Sequence, residues 1–230
     1  MTLRSPSELT VTLETGARTT ALVYRADAAV AHAALILAHG AGAGQRSAFM
    51  VDFADALSSL GIDVVTFNFL YTEQGRRIPD RAPALEACYR SVIETVHAGL
   101  ETARRALFIG GKSMGGRIAT QVAAADPQLP VAGLVLLGYP LHPPGKPQEK
   151  RDKHLPAIGR PMLFVQGTRD AFGTPSELAP ILAALTPPPS LHVVAQGDHS
   201  FKVSKKDPSL QANIYAEAQR AVVTFVSSTP

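Results

Sequence analysis

The residues of this sequence best suited to covalent chemistry sit in two glycine-rich stretches and two loops bearing acid and histidine. Residues 108–117 read FIGGKSMGGR, and within them Gly111-Lys112-Ser113-Met114-Gly115 has the spacing G-x-S-x-G. That spacing puts a serine on a tight turn between a strand and a helix. Gly-Lys-Ser also ends a phosphate-binding loop, but that motif needs an earlier glycine where this chain has Ala106, at the head of an apolar run. A strand there cannot wrap a phosphate, so the serine turn is the reading that fits.

A serine hydroxyl is a poor nucleophile until a base takes its proton, and the base needs a carboxylate to fix its tautomer. Among the seven histidines, His199 in Gln196-Gly-Asp-His-Ser-Phe201 directly follows the last apolar run. Asp170 ends Gly167-Thr-Arg-Asp, just after the preceding one. Asp198 is the rival acid, but neighbouring side chains point in different directions, which favours Asp170. An acyl-transfer site also needs N–H donors for a developing oxyanion. Met114, after the serine, supplies one at a helix N-terminus. The loop His39-Gly-Ala-Gly-Ala-Gly44 supplies the other, expected at Ala41. This loop is no dinucleotide fingerprint, because Gln45 stands where a third glycine belongs.

The elements that must position these residues can be read from periodicity. Glu8 to Glu14 and Thr19 to Tyr24 alternate around Gly16 and predict an antiparallel hairpin. Apolar runs predict buried strands at Ala33 to Ala38, Ile62 to Phe69, Ala106 to Gly110, Val131 to Leu137, Pro161 to Gln166 and Leu191 to Ala195. Helices are predicted at Ala48 to Leu60, Pro83 to Leu100, Arg117 to Ala125, Ser176 to Leu185 and Leu210 to Ser227. Apolar strands alternating with helices predict a mostly parallel sheet covered on both faces, with chemistry at the carboxyl ends of its strands.

Composition bounds the rest. The 230 residues suit one α/β domain spanning 1–230, and 46% apolar content suits a sizeable core. The lone Cys88 allows no disulfide framework, in keeping with a cytoplasmic protein. No signal peptide or apolar run long enough to span a membrane is visible. A net charge of +3 does not point to nucleic acid. No metal motif, and so no metal or cofactor, is implied.

With these residues in place, the chain resembles the α/β-hydrolases, in layout the compact dienelactone-hydrolase-like enzymes. It resembles more closely a small branch that includes testis-expressed protein 30 and the third subunit of the nonspecific-lethal chromatin complex. The matching pieces are HGAGAG at 39–44, FNFLYTEQGRRIPD at 67–80, GKSMGGR at 111–117, HLPAIGRPMLFVQGTRDAFG at 154–173 and GDHSF at 197–201. The resemblance implies an eight-stranded α/β-hydrolase fold and a Ser113, Asp170 and His199 triad. Dienelactone hydrolases use cysteine where this chain has Ser113, so their reaction does not carry over.

The expected function is a serine hydrolase, a carboxylesterase or thioesterase acting on small acyl esters. Amide hydrolysis in the same site and a non-catalytic interaction module are the alternatives; all three triad candidates are present, which favours the enzyme. Between Gly138 and Arg160 there is room for a loop and one short helix, with five prolines, so no large cap domain and an open site are expected. Basic residues outnumber acids in the loops at the strands' carboxyl ends: Arg46, Arg76, Arg77, Arg81, Lys146, Lys150, Arg151, Lys153, Lys202, Lys205 and Lys206 against Glu73, Asp80, Glu149, Asp152 and Asp207, besides Asp170 and Asp198. Their summed field predicts a preference for anionic substrates, with Arg76 and Arg77 as the contacts.

Overall fold

A computed structural model describes residues 5–27, 32–203 and 208–229. Ser7–Thr12 (β1) and Arg18–Tyr24 (β2) form the antiparallel hairpin, closed at Gly16 in the left-handed region at φ 80°. β1 ends at Thr12 rather than Glu14, because Leu13 N–H already donates to Ala17 O across the turn. The remaining strands are Ala33–Ala38 (β3), Ile62–Phe67 (β4), Leu107–Lys112 (β5), Gly133–Leu137 (β6), Met162–Gly167 (β7) and Ser190–Val194 (β8). They build one eight-stranded sheet in the order β1-β2-β4-β3-β5-β6-β7-β8, parallel from β4 to β8.

Successive side chains of a strand point to opposite faces, and β3 shows what that does here. Ala34, Ile36 and Ala38 join one apolar core, while Ala33, Leu35 and Leu37 join the other. Ala82–Gly99 (α3) and Met114–Ala125 (α5) cover the first core, through Leu85, Tyr89, Val92, Ile118 and Val122. Ala48–Ser59 (α1) and Pro208–Ser228 (α7) cover the second, through Phe53, Leu57, Val222 and Phe225. Glu101–Arg105 (α4) leads into β5, and Pro175–Leu182 (α6), entered through a Thr174–Glu177 capping box, lies between β7 and β8. This is the mostly parallel sheet, covered by helices on both faces, that the sequence pattern predicts. The segment between β6 and β7 holds only one turn of 3-10 helix, Leu155–Ala157, so no cap domain is present there.

Several boundaries differ from the sequence reading. The strand expected to reach Phe69 stops at Phe67, and Leu70–Glu73 forms a short helix (α2) that the apolar run at 62–69 concealed. The helix expected at Pro83 to Leu100 is α3, and a further short helix, α4, follows at once, separated from it by Leu100, which is extended at ψ 126°. β5 runs on to Lys112, and α5 starts at Met114 rather than Arg117. Cys88 sits on the buried face of α3, where burial pushes its thiol up to about 12. No helix among the described residues is long and apolar enough to cross a membrane.

Candidate active site

Ser113 occupies the single residue between β5 and α5, at φ 52° and ψ −115°. Few residues with a side chain take that conformation, and it persists only where the surroundings impose it. The flanking glycines show how they do. A Cβ on Gly115 would lie 2.3 Å from Ala38 O, and one on Gly116 would lie 2.8 Å from Gly111 O. Glycine therefore lets α5 descend against β3 and holds the serine at the head of the turn.

Three loops at the carboxyl ends of β5, β7 and β8 then converge. Ser113 Oγ lies 2.8 Å from His199 Nε2, and His199 Nδ1 lies 2.9 and 2.8 Å from Asp170 Oδ1 and Oδ2. Asp170 is buried; its carboxylate also accepts from Gln166 Nε2 at 2.8 Å and from Phe172 N–H at 2.8 Å. Gln166 is fully buried and in turn donates to Gly173 O and accepts from Tyr139 N–H. Phe172 lies against the His199 ring at 4.2 Å between centroids. Sequence reasoning missed Gln166 and Phe172. Asp198 is not brought to the ring nitrogens: its carboxylate accepts from the N–H groups of Ser200 and Lys202 within its own loop.

The loop at 39–44 lies against the serine. A Cβ on Gly40 would sit 3.6 Å from Ser113 Cβ. His39 fixes the base of this loop: it is buried, and its Nε2 accepts from Phe69 N–H at 3.2 Å. Its other nitrogen, Nδ1, therefore carries the proton and donates to Gly40 O at 2.9 Å. Burial lowers the pKa of His39, consistent with this neutral tautomer. Gln45 N–H donates to Asn68 Oδ1, tying the far end of the loop to the chain just beyond β4. Ala41 and Met114 both line the cavity above Ser113, and neither N–H is spent on a protein acceptor among the described residues.

That cavity is open and measures about 600 Å³. Arg76 and Arg77, expected as substrate contacts, line a neighbouring cavity instead, and Arg76 donates to Asp80 at 2.7 Å and to Gln74. The basic rim is partly neutralised: Arg46 pairs with Glu8 and Lys146 with Glu149. Lys205, Lys206 and Asp207 lie outside the described residues. No group of three metal-ligating side chains is present among the described residues.

Lys112, beside the serine, is almost wholly buried and lines the cavity, its Nζ 5.6 Å from the centre of the Phe49 ring. Burial lowers its pKa from 10.5 to about 8, against the opposing pull of Asp170 and Asp198. Below about pH 8 the ammonium is charged in both folded and unfolded chains, and the cost of burying it is present in full. As pH rises past 8 towards 10.5 the folded chain releases the proton first, and the cost is relieved. Lys112→Met is therefore expected to raise unfolding free energy at pH 7 by up to about 3 kcal/mol. The gain over wild type should shrink between pH 8 and 10.5 in parallel denaturant titrations; a gain that does not depend on pH would refute the assignment.

A serine on a strained strand-to-helix turn, on a mostly parallel eight-stranded sheet, defines an enzyme of the α/β-hydrolase class. The chain belongs to the alpha/beta hydrolase domain family, whose profile matches residues 31–227. Its fold is shared with an α/β serine hydrolase without a lid from Xanthomonas campestris, at 23% identity and a TM-score of 0.75 over 98% of this chain and 97% of that one. It is also similar to a dienelactone hydrolase from Anabaena variabilis, at 18% identity and a TM-score of 0.73 over 97% and 100% of the two chains. Est1E from Butyrivibrio proteoclasticus, solved with ferulic acid bound, matches at 11% identity and a TM-score of 0.77 over 96% and 100%.

Proposed function

We propose that the protein is a carboxylic ester or thioester hydrolase that acts on small acyl esters through an acyl-enzyme on Ser113. The observation that carries this reading is the unbroken hydrogen-bonded chain from Ser113 Oγ through His199 to buried Asp170, opening onto the cavity. Ser113 Oγ attacks the acyl carbon while His199 Nε2 takes its proton. Asp170 holds the Nδ1–H and stabilises the imidazolium, and the N–H groups of Ala41 and Met114 receive the oxyanion. His199 then gives the proton to the departing alkoxide or thiolate. Water, deprotonated by the same nitrogen, releases the acid and restores Ser113. Each oxyanion donor contributes about 3 to 4 kcal/mol to such a transition state. The same proposal places the chain in the branch that includes testis-expressed protein 30, on the motifs they share.

A fluorophosphonate probe tests this directly. It should label the intact protein and fail to label Ser113→Ala; equal labelling of the two would remove Ser113 as the nucleophile. With no cap over the open cavity to enclose a long chain, 4-nitrophenyl acetate and butyrate should be cleaved with higher kcat/KM than the palmitate. The reverse order of chain lengths would count against an open site for small acyl groups.

A further inference from the structure

The cavity above Ser113 holds a feature that acyl transfer alone does not require. Arg117, one turn into α5, and Arg151, in the segment between β6 and β7, both line it beside Ser113 and His199. The two guanidiniums feel one another: burial first, and then the charge of Arg151, lowers the pKa of Arg117, against a smaller opposing pull from Tyr139 and Glu86. Both remain charged, as guanidinium does in proteins.

Neither arginine has a carboxylate within ion-pair distance among the described residues. Arg25, Arg46, Arg76 and Arg105 each have one, in Asp63, Glu8, Asp80 and Glu101. The contacts that Arg117 and Arg151 do make are long: Arg117 Nη1 is 3.5 Å from Gln121 Oε1, and Arg151 Nη1 is 3.4 Å from Pro140 O. Asp80 lines the same cavity, but Arg76 holds it. The backbone at Arg151 is fixed, with its carbonyl accepting from the buried Tyr139 hydroxyl at 2.6 Å and its N–H donating to Leu141 O at 2.8 Å. Two half-buried like charges that share a wall of one cavity are costly unless something brings an opposite charge. Planar guanidinium forks match a carboxylate.

We propose that Arg117 and Arg151 form a subsite for a free carboxylate on the substrate, so that the favoured substrates are short acyl esters or thioesters carrying a second, unesterified carboxyl group. This rests on the hydrolase reading above, and it moves the anion contact from Arg76 and Arg77 to a pair inside the reactive cavity.

The test compares the 4-nitrophenyl half-esters of succinate, glutarate and adipate, each with its own methyl ester, after subtraction of spontaneous hydrolysis. For the best-fitting length, kcat/KM should favour the carboxylate by about tenfold or more at low salt. The ratio should shrink as salt rises, and it should fall towards one in Arg117→Ala and in Arg151→Ala. Taking the ratio within each variant cancels any loss of folded protein. A wild-type ratio at or below one for all three lengths, or a ratio kept in both variants, overturns the subsite. Failure of the hydrolase reading looks different: no ester is cleaved and the fluorophosphonate leaves Ser113 unlabelled. Isothermal titration of wild-type protein with glutarate then decides the subsite. Binding lost in both variants supports it; no binding, or binding that both variants retain, overturns it.

Discussion

Ser113→Ala and His199→Ala are each expected to lower kcat for a small ester by about a million-fold, with the double variant scarcely worse than either. In the proposed mechanism the two side chains act as one unit. Without the serine there is no acyl-enzyme, and without the imidazole the 2.8 Å contact that removes the Oγ proton is gone. Asp170→Asn should cost about ten-thousand-fold, because an amide in place of the carboxylate no longer enforces the tautomer with its proton on Nδ1. Gln166 donates to the same carboxylate from a fully buried position. An amide at 170 can satisfy that donor or His199 Nδ1–H, but its nitrogen cannot accept from either. Stopped-flow and steady-state rates with 4-nitrophenyl acetate read these effects. Activity in Ser113→Ala above about one percent of wild type would place the nucleophile elsewhere, since background catalysis by the rest of such a site is far smaller.

The second large effect falls on folding. Gly110→Ala is expected to give no stable native protein, a loss above about 4 kcal/mol. An added Cβ at Gly110 would lie 1.8 Å from Val135 O, and the obstacle is the backbone of the adjacent strand β6, which cannot rotate away. At the same point the fully buried Tyr89 hydroxyl donates to Gly110 O at 2.7 Å and accepts from Gly110 N–H at 3.0 Å, so a shift of β5 would also break this exchange. Gly99→Ala is the control. Its Cβ would meet nothing within 4 Å, and as the last residue of α3 it should be neutral or stabilising by about 0.5 to 1 kcal/mol. Thermal unfolding of the two variants side by side checks both; a Gly110→Ala protein that melts near wild type would contradict the packing described for β5.

How much of this was legible in the chain depended on whether a signal was local. Strand runs such as Ala33 to Ala38 were apolar on both faces and coincide with the strands observed. The serine turn was visible because its constraints are imposed by neighbours within a few residues. The short helix at Leu70–Glu73 was not, since apolar residues on either side of Asn68 imitate a continuing strand. What bends the chain there is distant: Asn68 accepts from Gln45 N–H, and Phe69 N–H donates to His39. The start of α5 was placed too late because glycines at 115 and 116 lower helix propensity, whereas close packing against Ala38 and Gly111 requires them. Gln166 read as the end of an apolar strand; Asp170 is only four residues on, but strand periodicity does not show that the turn after Gly167 folds its carboxylate back onto that amide. Arg117 likewise read as the first residue of a helix. Its position in the cavity beside Arg151 depends on a segment that is remote in sequence and carries no periodic pattern. Arg76 and Arg77 were conspicuous as a pair, but the fold turns them to a different cavity.

The burial of Cys88 gives the molecule two chemically orthogonal reporters. A thiol held up at about 12 on the buried face of α3 has almost no thiolate at neutral pH and is shielded from reagents while the core around it is packed. In the proposed mechanism, by contrast, a serine probe at residue 113 needs three chain segments assembled at once. In one sample, alkylation of residue 88 therefore counts molecules that have opened, and phosphonylation of residue 113 counts those that are intact. The protein carries, without any engineered label, the means to time its own loss of structure against its loss of activity.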